Sequence, residues 1–558
     1  MVEFNEEKQI KKVEDLRKRE EEDLAKTLSD KYGIGYLDLS VIPISIDALR
    51  VLPEKEAREA QVGVFNIINK KIDVAVLSPN LPKTQEVIEQ LKNKGYAPNL
   101  YMVSHESLNK VWGRYKDLSY SFETKGGALD ISNEEIVDLL KNVHGIIDIK
   151  KEIEGVLKQK KGYRISKILE IIVAGGLATD ASDIHLEPEE GYVRLRYRLN
   201  GVLTDILNFD RETYKLLLSR VKLISDLKLN ISGAQDGRFS IKLPEGDIEV
   251  RTSILPGAYD ESMVLRILNP NATQVGLENR GIHPRLLEIF YHEIKRPNGM
   301  ILVTGPTGSG KTTTLYSFLR KVHSPEVKII TIENPVEYHL PGIVQTQTDP
   351  DKDYTFASGL RSALRQDPDI IMVGEIRDQE TAEIAVNAAL TGHLVLSTLH
   401  TNNAAGSFPR LIDLGVNPKV ITSAVNISIA QRLIRTLCPD CKKEVPLSND
   451  ERDLVEKILS EVNDRSYVEG LQTEKKWEVG GCQKCNLTGY IDRIGIFEAI
   501  LADEAIERVV KDNPSEREVR KAAAAQNILD MKQDGIIKVL QGVTSLEELG
   551  RVIDLVEN

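Results

Sequence analysis

Gly305-Pro306-Thr307-Gly308-Ser309-Gly310-Lys311-Thr312 follows the apolar run Ile301-Leu302-Val303 and opens a stretch of helical periodicity, the setting of a phosphate-binding loop. Its glycines let backbone N–H groups face phosphate oxygens with no Cβ in the way, and the helix behind adds the positive end of its dipole. Lys311 neutralises phosphate charge, the Thr312 hydroxyl suits Mg²⁺, and Thr313 completes the set in the same helical turn. A second run, Asp369-Ile-Ile-Met-Val-Gly374-Glu375, reads as an apolar strand that delivers a carboxylate at its C-terminal end, where doubly wound sheets hold ligands. Glu375 is the candidate for orienting and deprotonating an attacking water. The chemistry implied is Mg²⁺-dependent transfer of a phosphoryl group from ATP to water.

Four cysteines stand as two pairs, Cys438-Pro-Asp-Cys441 and Cys482-Gln-Lys-Cys485. Each pair makes one knuckle turn, and four thiolates match tetrahedral Zn²⁺. With no open coordination position such a metal is structural. A redox-active thiol set is the alternative reading of the same pattern.

These groups need several domains to hold them, because 558 residues exceed what one core supports. Residues 1–28 alternate Glu and Lys around sparse apolar residues, a solvated helix or arm. Residues 29–116 mix short apolar runs with helical stretches, a small α/β domain. Residues 117–162, with Gly126-Gly127 and a Lys-rich end, read as a linker with helices. A second α/β domain covers 163–270, a hinge 271–283, and an ATPase core of strands alternating with helices 284–437. The cysteine module takes 438–495 and a helical segment 496–558.

The runs Thr331-Ile-Glu333-Asn-Pro335-Val-Glu337, Leu364-Arg365-Gln366-Asp367-Pro368-Asp369, Gly374-Glu375-Ile-Arg377-Asp378, and Thr391-Gly-His393 through Thr398-Leu-His400-Thr401 closely resemble type II secretion and type IV pilus ATPases, from about Ile165 to the C-terminus. The resemblance implies an α/β multidomain protein. It would have a RecA-like P-loop core, a preceding PAS-like domain, a small zinc-binding insertion and a helical C-terminus. It implies that Glu333 and Glu337 form an acidic box beside the γ-phosphate and metal, and that His393 and His400 form a histidine box. Ala181 to Pro188 and Arg194-Leu-Arg196-Tyr-Arg198-Leu-Asn200-Gly201 resemble the domain that closes over the nucleotide and supplies arginines. Arg196 and Arg198 alternate on one strand and share a face. Arg238, Arg251, Arg266, Arg361 and Arg365 compete for that role. The tetracysteine module favours fibre extension or export over retraction.

The resemblance further implies a homo-hexamer in the cytoplasm, attached to the inner membrane through a platform protein of a pilus or secretion apparatus. Type IV pilus assembly is the expected task, with type II secretion or a DNA-uptake pseudopilus as alternatives. Where the family usually carries Asp, this chain has Asn200, Asn334 and Asn403, and Asp492 replaces a usual Gly. A nucleotide-holding scaffold with little turnover is therefore the reading of another class. A net charge of -12 argues against nucleic acid as partner. No apolar run is long enough for membrane insertion. The Arg-Leu-Gly motif of cyclic di-GMP binders is missing from the start of the chain, so no cyclic di-GMP site is expected.

Overall fold

A computed structural model describes residues 21–39, 42, 44–49, 51–68, 70–117, 133–143, 145–158, 164–231, 233–243, 246–269 and 276–556. Residues 1–20 of the charged arm, Gly126-Gly127 and much of the linker, most of the Lys-rich stretch, and 270–275 of the hinge lie outside the described residues. The chain divides into two compact units, 1–125 and 126–558.

In the first unit a mixed sheet runs Gly35–Tyr36, Ala97–Met102, Lys71–Val76, Val62–Ile68. Helix 21–32 is held to its own domain by Glu22, which accepts from Tyr36 Oη at 2.5 Å and from Ser104 Oγ at 2.5 Å. Val62, Val64, Ile72, Val74 and Trp112 fill the core.

The second unit opens with helices Asn133–Asn142 and Ile146–Leu157, expected to be linker. Their apolar faces, with Ile136, Ile149 and Ile153, join the core of the domain that follows. Residues three and four apart line one helix face, and that stripe is buried against helix Arg164–Ala178. A six-stranded antiparallel sheet completes this domain, in the order Val202–Phe209, Val193–Leu199, Asp183–Pro188, Glu261–Leu268, Gly246–Pro256, Gln235–Leu243. Strand Val193–Leu199 buries Leu195 and Tyr197 and turns Arg194, Arg196 and Arg198 to the other face, as period-two geometry dictates.

A seven-stranded sheet forms the centre of the unit: Val344–Gln347, Ile329–Glu333, Ile370–Val373, Leu394–Leu399, Gly299–Thr304, Val425–Leu437, Tyr490–Leu501. The first six run parallel and the last antiparallel. Its central strands are buried along their whole length, which explains their uninterrupted apolar runs. Tyr490–Leu501 crosses the boundary expected at 495, because the whole strand, from Tyr490 opposite Leu437 to Leu501 opposite Ile427, pairs with Val425–Leu437 and belongs to the core sheet. The cysteine module therefore inserts between two adjacent strands of one sheet. Helices begin again only at Glu504–Val510. Among the described residues no helix is long and apolar enough to cross a membrane.

Candidate functional site

The glycine-rich loop leaves the C-terminal end of the buried strand Gly299–Thr304 and enters helix Lys311–Val322. Two of its glycines are dictated by backbone and space together. Gly305 has φ 142° and a Cβ there would stand 2.4 Å from the Gln431 carbonyl oxygen; Gly310, at φ 87°, would meet the Gln431 side chain at 2.9 Å. Gln431 thus backs the loop from the neighbouring strand, and its Oε1 accepts from Thr314 Oγ1 at 2.7 Å. Pro306, Thr307 and Gly308 are exposed and Ser309 is buried. Thr312 and Thr313 stand half-buried in the first helical turn. Lys311 Nζ donates to the carbonyls of Gly305 at 2.8 Å and Pro306 at 3.1 Å. Burial pushes its pKa down, with the Glu375 charge opposing.

Glu375 follows strand Ile370–Val373, two strands away from the loop's own strand and at the same C-terminal edge. Its Oε2 accepts from Arg377 Nε at 2.6 Å and pairs with His400 Nε2 at 3.0 Å. His400 follows strand Leu394–Leu399, which lies between the other two. Thr304 Oγ1 is hydrogen-bonded to Thr401 Oγ1 at 2.7 Å and accepts from Thr401 N at 2.8 Å. Three adjacent parallel strands thus bring Lys311, Glu375 and His400 to one edge. His393 begins the same strand that His400 ends, so the strand's length of roughly 20 Å separates the two, and His393 Nδ1 lies 3.1 Å from the Ala388 carbonyl oxygen.

Glu333 is only 2 % exposed. Tyr316 Oη donates to its Oε2, while Thr331 Oγ1 at 2.5 Å and Gln345 Nε2 at 3.1 Å donate to Oε1. Three donors satisfy this buried carboxylate beneath helix Lys311–Val322. Glu337 is half-buried and accepts from Arg251 Nη1 at 3.2 Å, while Arg251 Nη2 donates to the Val336 carbonyl at 2.9 Å. Arg251 is thus the candidate arginine that reaches the acidic segment in this chain. Arg196 pairs with Glu187, and Arg198 and Arg266 with Asp183, all within their own domain. Arg238 approaches Glu249 at 3.9 Å. Arg361 pairs with Glu380, and Arg365 donates to Ser362 Oγ at 3.1 Å.

The four cysteines converge although 40 residues of insertion separate the pairs. Sγ atoms stand 3.7 Å apart for Cys438 and Cys482, 3.8 Å for Cys441 and Cys485, and 3.6 Å for Cys482 and Cys485. A tetrahedron with Zn–S bonds of about 2.3 Å has edges of about 3.8 Å, so the donor set fits that ion. Backbone N–H groups of Cys482 at 3.3 Å and Gly489 at 3.2 Å point at Cys485 Sγ, as they would at a thiolate.

A family model described as type II/IV secretion system protein matches residues 158–551. The chain belongs to that family. It is 43% identical over 398 residues to the type II secretion system ATPase E of Vibrio cholerae, covering 71% of this chain and 77% of that one. It is 35% identical over 534 residues to the type IV pilus assembly ATPase PilB of Myxococcus xanthus, covering 95% and 91%. With these relatives it is a secretion-family ATPase. Among solved structures, the ATPase DotB of Yersinia pseudotuberculosis shares the fold, with a TM-score of 0.51 at 19% identity over 69% of this chain and 92% of that one.

Two residues at the site of this secretion ATPase carried no assigned role in the sequence. Arg377 was legible as a cation two positions after Glu375, but nothing local said that it turns back to the carboxylate. Gln431 had no signal, since its part depends on a strand pairing remote in sequence. Of the departures from the family pattern, Asn403 has a local reason, and the residues at 200 and 492 are ones that their backbone tolerates. Asn200 has φ 48° beside Gly201 at 83°, and Asp492 has φ 63°, a region that Asn and Asp enter at less cost than most residues. Asn403 donates its amide to Glu516, a place where an aspartate would repel. Nothing in the structure explains Asn334.

Proposed function

We propose that this ATPase is the hexameric motor of type IV pilus assembly, hydrolysing ATP at the cytoplasmic face of the inner membrane and pushing on a platform protein of the apparatus. The observation that carries the hydrolytic part is the meeting of Lys311, Glu375 and His400 at the edge of three adjacent strands. Lys311 exchanges the Gly305 and Pro306 carbonyls for phosphate oxygens, and the incoming charge restores a pKa that burial has lowered. Mg²⁺, held through Thr312, would neutralise charge building on the phosphoryl group. Arg377 and His400 both occupy Oε2 of Glu375, which leaves Oε1 to orient the water and take its proton. Arg251, Arg196 and Arg198 sit on the domain that would close over a nucleotide, and a RecA-like core with a PAS-like partner is the arrangement this reading needs.

A second reading, the motor of type II secretion, is favoured by the higher identity to the Vibrio cholerae protein, 43% against 35%. Deleting the gene in its source organism separates them. Loss of surface fibres with export intact supports the first; loss of exported proteins with fibres intact supports the second. Hydrolysis that survives Lys311→Ala would remove the common ground of both.

A further inference from the structure

Glu498 lies on strand Tyr490–Leu501, outside every motif that marks the nucleotide site. Its Oε1 accepts from Ala404 N at 2.7 Å and its Oε2 from Met531 N at 3.3 Å. Ala404 closes the loop that starts at His400. Met531 is the first residue of helix Met531–Leu540, so its N–H has no partner within the helix and faces the positive dipole end. One carboxylate therefore joins the loop beside the proposed hydrolytic pair to the start of a C-terminal helix.

The surroundings make both halves of this joint stiff. The His400 loop is fastened to the phosphate-loop strand through Thr401 and Thr304, and to strand Val425–Leu437 by Ser428 Oγ, which donates to the Ala404 carbonyl at 3.0 Å. The helix returns the grip: Asp534 Oδ2 accepts from Phe497 N at 2.9 Å and is ion-paired with Lys538, both side chains buried. Strand and helix are thus bonded reciprocally through neighbouring residues, 497 and 498. A second carboxylate, Glu516, takes the Asn403 amide from outside.

We infer that Glu498 is a positioning residue for hydrolysis: it sets the loop that carries His400, hence the orientation of Glu375, and makes helix Met531–Leu540 respond to what the nucleotide site holds. The inference rests on the ATPase reading and goes beyond it by naming the mechanical output element. Carboxylate geometry is needed because two N–H groups from different segments must be accepted at once. A glutamine in its place offers one acceptor and turns a donor toward one of them.

The test uses the full-length, zinc-loaded protein. First the wild type must hydrolyse ATP; if it does not, the reading beneath this inference falls and not the inference itself. In Glu498→Gln, kcat is expected to drop about tenfold while KM for ATP stays within about twofold, since the phosphate loop is untouched. Hydrogen exchange with and without a non-hydrolysable ATP analogue gives the second readout. In the wild type the analogue slows exchange in both 400–406 and 531–540; in Glu498→Gln the response of 531–540 disappears. Met531→Pro removes one donor, together with a buried side chain, at a helix position that tolerates proline, and Met531→Ala, which loses the side chain and keeps the N–H, is its control. The proline variant is expected to silence 531–540 while 400–406 still responds. An unchanged kcat in Glu498→Gln, or a helix that still responds in both variants, overturns the assignment, and an unfolded Glu498→Gln leaves Met531→Pro to decide.

Discussion

At the scale of single residues the site separates binding from chemistry, and its variants should do the same. On the proposed function Lys311 meets phosphate charge in ground and transition states alike, so Lys311→Ala is expected to lose ATP binding, measured by titration with a fluorescent nucleotide. In the proposed mechanism Glu375 acts on the water, so Glu375→Gln is expected to keep ATP binding and lose turnover by about a hundredfold or more; retention of wild-type kcat would remove it from that role. Another carboxylate contributes to acid stability. Burial pushes Glu548 up, but hydrogen bonds from Arg551 and Arg435 outweigh it and hold the group down at about 2, below its ordinary 4.5. A folded-state pKa below the unfolded one contributes stability that is present above about pH 4.5 and is lost as the pH falls toward 2. Glu548→Gln should therefore lower Tm at pH 7, and its gap from the wild type should narrow between pH 4.5 and the acid limit of folding. A gap independent of pH would contradict the pairing.

At the scale of elements the cysteine module is a two-stranded sheet, a helix at Asn449–Ser460 that packs Val455, Ile458 and Leu459 into the main core, and two knuckles that a metal ion would hold together. One Zn²⁺ per chain is expected by metal analysis of the purified protein. Chelation, or Cys441→Ser, should release it and speed hydrogen exchange across Lys443–Pro446 and Lys475–Glu478 while nucleotide binding persists; protein that folds and protects these strands with no metal would refute a zinc site. Elements of this kind were readable to different depths. The strands Gly299–Thr304, Ile370–Val373 and Leu394–Leu399 were visible as apolar runs because burial on both faces removes polar residues from them. The phosphate loop and the cysteine pairs were visible because their chemistry is local in sequence. Glu333 was different: its family motif implied a place beside the metal, whereas its partners Tyr316 and Gln345 come from a helix and an edge strand that only the folded sheet brings near. The boundary at 495 was missed for the same reason. Turn signals mark where a chain bends, and not which sheet the next strand will join.

At the scale of the whole second unit, polar contacts among the described residues that tie the antiparallel-sheet domain to the core include two far apart in the sequence. Arg251 bonds Glu337 and the Val336 carbonyl. At the other, Asn486, directly after the last cysteine, accepts from Ile146 N at 3.0 Å and so caps helix Ile146–Leu157 across 340 positions. The helix's own Gly145 has no side chain to do this, and the cysteine module supplies the missing cap. Under the proposed function this domain moves against its core, which needs ties that are specific yet cheap to break, and short polar contacts meet that need better than an apolar interface would. Asn486→Ala should raise hydrogen exchange at residues 146–149 about fivefold, the equivalent of the ~1 kcal/mol that a cap contributes. Arg251→Ala should leave those amides near their wild-type rate if the ties are independent. If instead the domain swings as one body, both ties must break before 146–149 open, so Arg251→Ala alone will raise exchange there and the double variant will show the product of the two single effects. The rigid-body reading expects that rise in Arg251→Ala, and its absence would show that the two ties open separately.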